Sequence, residues 1–165
     1  MDAEFKALLA DRQAGVTSIV CMHSSDSPGD EPGLWSLASA IGTPASRSAW
    51  IGGIQWVADA KPGSYDVIIV DSTDPVGPAA GLFSETFYKN CHRALRAHGI
   101  VVGQSESPLF HPDLIVSMHK AMRAAGFADT ATLQFHQVTY PSGWWSCTMA
   151  GKDAALNGFR EQAAA

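Results

Sequence analysis

A chain of 165 residues, 46% hydrophobic and 16% charged, is long enough to bury a core and too apolar to be an intrinsically disordered segment. Its formal net charge of -5 and the lack of a Lys/Arg cluster exclude an electrostatic footprint for nucleic acid, and no apolar run is long enough to span a membrane. Cys21, Cys91 and Cys147 are odd in number with no CxxC pair, which speaks against a disulfide framework or a zinc site and for small apolar fillers in a reducing compartment. Acidic residues also stand at the N-terminus where a signal peptide needs basic ones, so the expected location is the cytoplasm.

In chain order, Phe5, Leu8 and Leu9 predict a short amphipathic helix stopped near Gly15, and Val16 to Met22 reads as a strand. HSSDSPGDEPG, residues 23–33, reads as an exposed loop; residues 34–48 are weakly periodic and receive no assignment. YDVIIV, residues 65–70, is apolar on both faces, as a central parallel strand should be, and it ends at Asp71. Phe83, Phe87, Cys91, Ala94 and Leu95 predict a helix closed by the basic residues and glycine of RAHG, 96–99. IVVGQ, 100–104, is a second buried strand ending at Gln104. Pro112 opens another helix, with Leu114, Ile115, Met118 and Met122 on one face and Gly126 at its end. TATLQFHQV (130–138) and WWSCTMA (144–150), separated by the turn signal TYPSG, predict paired strands.

This order predicts an α/β domain: parallel strands joined by a right-handed crossover, with a hairpin-like pair at one edge. Ligands of open α/β sheets sit beyond the carboxyl ends of the strands, and Asp71 and Gln104 both fall there. The loop DSTDPVGP, 71–78, is stiffened by Pro75, Gly77 and Pro78 and holds two carboxylates, Asp71 and Asp74. A single Asp after a strand is more often a helix N-cap. Two in a rigid loop that does not lead straight into helical periodicity weaken that reading. Magnesium usually wants substrate phosphates, and no phosphate-cradling glycine-rich loop follows, so no metal is assigned.

Four segments, YDVIIVDSTDPVGPA (65–79), LFSETFYKNCHRAL (82–95), GQSESPLFHPDLI (103–115) and TYPSGWWS (139–146), resemble in order and spacing the spermidine synthase (polyamine aminopropyltransferase) family. The resemblance implies a Rossmann-like, methyltransferase-like fold: a mostly parallel sheet with an antiparallel edge pair. It implies transfer of an aminopropyl group from decarboxylated S-adenosylmethionine, a co-substrate rather than a cofactor, to putrescine, giving spermidine and 5'-methylthioadenosine. By the same resemblance Asp71 is the catalytic base, Asp74 binds an amine nitrogen, and Gln104 and Tyr140 contact the amine. Gly53, Ser72, Pro78, Ala79 and Leu82 would border the nucleoside. Read without the family, Tyr140 is a turn residue packing its ring and Gln104 merely ends a strand. Trp144 and Trp145 are either core or an aromatic wall for a methylene chain. His92, His98, His111, His119 and His136 show no ligand spacing and receive no role.

Two departures accompany the resemblance. IGGIQWV, read as a strand end after Gly52 and Gly53, lacks the acid that would receive the adenine amino group, which predicts weakened adenine recognition by on the order of 1–3 kcal/mol. Residues 1–48 lack the GGGDGG-type turn and the ribose-binding acid. The chain therefore divides into a divergent segment 1–48, the C-terminal part of a catalytic domain 49–152 and a tail 153–165, as expected of a chain truncated at its N-terminus. The alternative to an active enzyme is a catalytically impaired remnant that binds polyamine or a full-length homologue. A methyltransferase on the same fold is disfavoured by DSTDP together with TYPSG. An uncovered sheet edge predicts self-association, while the amine acceptor and the oligomeric state are left open.

Overall fold

The computed structural model describes residues 19–23, 53–72 and 75–156. The helix expected over residues 5–15 and the loop expected after residue 23 lie outside the described residues, and so does Asp74.

Among the described residues, five strands form one sheet in the order β1-β2-β3-β5-β4: β1 Ile19–His23, β2 Tyr65–Asp71, β3 Leu95–Gln104, β4 Asp129–His136 and β5 Trp144–Gly151. β1, β2 and β3 run parallel, whereas β5 is antiparallel to both β3 and β4. The architecture is thus the mixed α/β sheet expected, with its antiparallel pair at one edge. β2 lies between β1 and β3, with Ile68 and Val70 buried on one face and Val67 and Ile69 half-buried on the other. β1 overlaps the segment read as a strand, Val16 to Met22, and runs one residue past it to His23, the first residue of the expected loop.

Three described helices, α1 Gly53–Asp59, α2 Glu85–Ala94 and α3 Pro112–Ala124, pack side by side in one row, α1 on α2 and α2 on α3. The core lies between that row and one face of the sheet. Ile68 and Val70 of β2, Val101 of β3 and Ala150 of β5 meet Val57, Phe87, Cys91, Met118 and Met122 from the helices. Cys91 is fully buried, and burial pushes its thiol far above the usual range, as suits an apolar filler.

Two expectations are corrected. The helix containing Phe87 and Cys91 does not continue through RAHG but stops at Ala94, where Leu95 turns extended (φ -73°, ψ 145°). β3 therefore begins at Leu95, with Leu95 opposite Tyr65 and Ile100 opposite Val67. The surplus residues of β3 bulge out, and His98 takes a φ of 62° within them. The N-terminal end of this helix is also later than its periodicity suggests. Phe83 closes a 3-10 helix, Gly77–Phe83, and Ser84 then caps α2 by accepting the Phe87 N–H at 3.2 Å.

The second correction concerns IGGIQWV, read as a strand end: from Gly53 onward its residues belong to α1, GIQWVAD. Its C-terminal carbonyls are taken up by Arg93, which donates to Ala58 at 2.6 Å and Val57 at 3.1 Å. A partner 35 residues downstream is needed to end this short helix, and nothing in its own sequence announces one.

Candidate functional site

The register places the site. Val70 pairs with Gly103, and the next residue on each strand is Asp71 and Gln104. Side chains alternate along a strand, so these two stand side by side at the carboxyl edge, on the sheet face opposite the helix row. The juxtaposition expected from the strand ends is thus present. Asp71 is exposed there.

Gln104 faces Cys147 across the antiparallel pair β3–β5. Trp145 lies two residues along β5 and so projects from the same face, roughly 7 Å further out. On it stacks Tyr140, ring centroids 4.0 Å apart and planes 15° from parallel. Tyr140 is held in the β4–β5 turn by backbone bonds from its N–H to Gln137 O (3.2 Å) and to its carbonyl from Gly143 N–H (2.9 Å). Gly143 has a φ of 65°, which glycine adopts without steric cost. Of the two tryptophans, only Trp145 joins this wall. Trp144 projects the other way and meets the ring of His136 at 4.3 Å.

The residues read as bordering a nucleoside cluster on the same edge. The 3-10 helix after Asp71 holds Ala79 and Leu82, both nearly buried, and Leu82 also belongs to the core. Pro78 lies in that same helix. Gly53 opens α1, and its neighbour Ile54 reaches the 3-10 helix so closely that a methyl group on Gly81 would collide with it. Ser72, next to Asp71, is buried with no hydrogen-bond partner for its hydroxyl among the described residues. An unpaired buried hydroxyl costs about 1–3 kcal/mol, and a polar ligand group at this edge would remove that cost.

Glu106 was missed by sequence reasoning. It is 3% exposed and sits two residues past the end of β3 with φ 63°, a left-handed conformation that costs a non-glycine residue on the order of 1–3 kcal/mol. Its carboxylate accepts from Gln104 Nε2 at 3.0 Å, its N–H donates to Gln104 Oε1 at 3.1 Å, and His111 Nδ1 lies 3.8 Å from its other oxygen. The only available signal was an acid among small residues in GQSESP. Among the described residues the edge therefore presents the exposed Asp71 carboxylate, an amide oriented by the buried Glu106, and a stacked phenol. A carboxylate and an amide oxygen that accept, beside an aromatic face, suit a cationic amine carried on an apolar chain.

A family model described as the spermine/spermidine synthase domain matches residues 49–160. A polyamine aminopropyltransferase of Methylococcus capsulatus is 63% identical over 128 residues, which are 78% of this chain and 45% of that protein. One from Thioalkalivibrio sulfidiphilus is 56% identical over 76% of this chain and 44% of its own length. Among solved structures, a spermidine synthase in complex with the transition-state analogue AdoDATO superposes with a TM-score of 0.61 at 31% identity, covering 70% of this chain and 39% of that one. The Thermotoga maritima spermidine synthase gives 0.58, also at 31% identity, over 70% and 38%. The chain thus spans less than half the length of these relatives.

Proposed function

The chain belongs to the spermine/spermidine synthase family, and from that premise we propose that it serves the transfer of an aminopropyl group from decarboxylated S-adenosylmethionine to putrescine. The observation that carries the reading is that Asp71 and Gln104 each follow the last registered pair, Val70 and Gly103, at the carboxyl edge of adjacent parallel strands, with the Tyr140–Trp145 stack beyond β5.

The chemistry follows from these groups. The nitrogen lone pair of the amine attacks the methylene carbon beside the sulfonium. A C–N bond forms, the C–S bond breaks, and its electron pair stays on sulfur to leave neutral 5'-methylthioadenosine. The amine must be neutral to attack, and a carboxylate at the reacting nitrogen supplies the proton acceptor. Asp71 takes that role. Asp74, three residues further along the sequence, holds an ammonium by charge-assisted hydrogen bonding. Gln104 Oε1 and the Tyr140 hydroxyl orient the nitrogen, while the flat face of the stack lines the methylene chain. Ser72, Gly53, Pro78, Ala79 and Leu82 take the nucleoside side. The Ser72 hydroxyl, without a hydrogen-bond partner among the described residues, supports a polar ligand there.

Calorimetric titration with putrescine and with methylthioadenosine, run separately, tests the two halves of the site. A turnover assay with decarboxylated S-adenosylmethionine then tests the reaction. Binding of both ligands together with spermidine formation is the expected result. Putrescine binding without nucleoside binding would reduce the chain to an amine-binding remnant, and binding of neither would remove the reading.

A further inference from the structure

On the helix side of the sheet an unbroken run of polar contacts connects α3 with the Gln104–Glu106 turn. His119 Nε2 lies 2.8 Å from Thr132 Oγ1, and Thr132 Oγ1 lies 2.9 Å from Thr148 Oγ1. Thr148 Oγ1 meets Ser105 Oγ at 3.0 Å, which meets Ser146 Oγ at 2.8 Å. Ser146 Oγ ends the run on the Glu106 carbonyl at 2.8 Å, with the Ser105 carbonyl at 3.2 Å. Ser105, Ser146 and Thr148 are fully buried, so no solvent substitutes for the bonds among these three, while His119 and Thr132 at the head of the run are half-buried.

The carbonyl at the end decides the direction of all of them. A carbonyl only accepts, so the single hydroxyl proton of Ser146 is committed to it. Ser105 must therefore donate to Ser146, Thr148 to Ser105 and Thr132 to Thr148. Thr132 then has no proton left for the imidazole, so His119 Nε2 must carry a hydrogen and donate it. A neutral ring has its lone pair on Nδ1, which lies 2.8 Å from Thr130 Oγ1 and accepts from it. Burial and the nearby Arg123 hold the His119 pKa below its ordinary value, in agreement with a neutral ring.

We propose that His119 is a positioning residue for the amine site: its Nε2–H heads a one-way hydroxyl chain that pins the Glu106 carbonyl and so holds the strained turn orienting the Gln104 amide. The role rests on the amine reading of Gln104 given above. Each donor in such a chain polarises the next, so a break weakens every bond downstream of it, as far as the one to the Glu106 carbonyl. His119 touches no substrate. Its influence arrives through the backbone of Glu106.

The test begins with the unmutated full chain, where long-range 1H–15N spectra of the imidazole report the tautomer. The Nε2–H form of His119 at neutral pH is expected; the Nδ1–H form overturns the proposal. His119→Phe and Thr148→Val each break the chain, at its head and in its middle. Each should shift the Gln104 side-chain amide resonances and weaken putrescine binding about fivefold, with methylthioadenosine affinity unchanged. His119→Gln returns an N–H donor and should restore both readouts. Wild-type resonances and putrescine affinity in both breaking variants, or no rescue by glutamine, also overturn it. Failure of the wild-type chain to bind putrescine would sink the amine reading itself, whereas the tautomer and the Gln104 resonances decide the hydroxyl chain regardless.

Discussion

The side chain of Gln104 and Glu106 close on each other: the amide Nε2 donates to the carboxylate at 3.0 Å while the Glu106 N–H donates back to Oε1 at 3.1 Å. A planar amide held at both ends has one orientation. Gln104→Leu removes both bonds and deprives a buried carboxylate of a donor. It should cost about 1–3 kcal/mol of stability, read from urea unfolding, and weaken putrescine binding in a calorimetric titration. A variant as stable as the parent would show that the ring of bonds is not formed in solution.

Asp71→Asn keeps the shape of the side chain and removes its basicity. With Asp71 as the proton acceptor, turnover should fall by about 10²- to 10⁴-fold, while the dissociation constant for putrescine changes far less. Single-turnover kinetics beside calorimetry separate the two. A rate within a small factor of the parent would remove Asp71 from the chemistry.

Met118 and Gly103 probe the contact between α3 and β3. Met118 is fully buried, and Met118→Ala should cost about 2–5 kcal/mol through lost contacts and a cavity. Gly103→Ala would place its new methyl 3.3 Å from the Met118 Cε, the flexible end of a side chain that can give way. Its cost should be clearly smaller. Chemical denaturation of both variants checks the order, and a reversal would mean that the helix and strand meet differently.

Stability should depend on pH through two histidines. His92, mainly through burial and then Lys152, and His119, mainly through burial and then Arg123, both have pKa values lowered in the fold. Between the folded and unfolded values the unfolded chain binds more protons, so this contribution is complete above the ordinary histidine value and is lost as pH falls through the lowered ones. Urea midpoints should therefore decrease from about pH 7 to about pH 5. Replacing both histidines with glutamine should flatten part of that slope. A midpoint that holds steady or rises on acidification would contradict the neutral state of both rings.

Much of the site was legible because its two anchors end strands. A β-branched run followed by Asp71, and another closed by Gln104, suffice to place both residues at the carboxyl edge once the strands are parallel. The same local logic located α3 and the β4–β5 pair, and it failed where local signals were overruled. The RAHG segment carries helix-ending residues, yet Leu95 pairs with Tyr65 and draws the segment into β3. GIQWVAD is too short for a decisive period, and its helix is completed by Arg93 from a distant element.

Sequence alone determined which residues could form faces and edges, because hydrophobic period, proline and glycine act within a few residues of themselves. It also carried the family, through four motifs in register. Only the tertiary structure decided which polar groups face one another. His119 shows no ligand spacing, and its role rests on Thr132, 13 residues away on an edge strand, and on Thr148, which reaches Ser105 across 43 residues. Such partners are selected by strand register and by the requirement that every buried hydroxyl find a bond. Neither condition leaves a periodic trace in the chain.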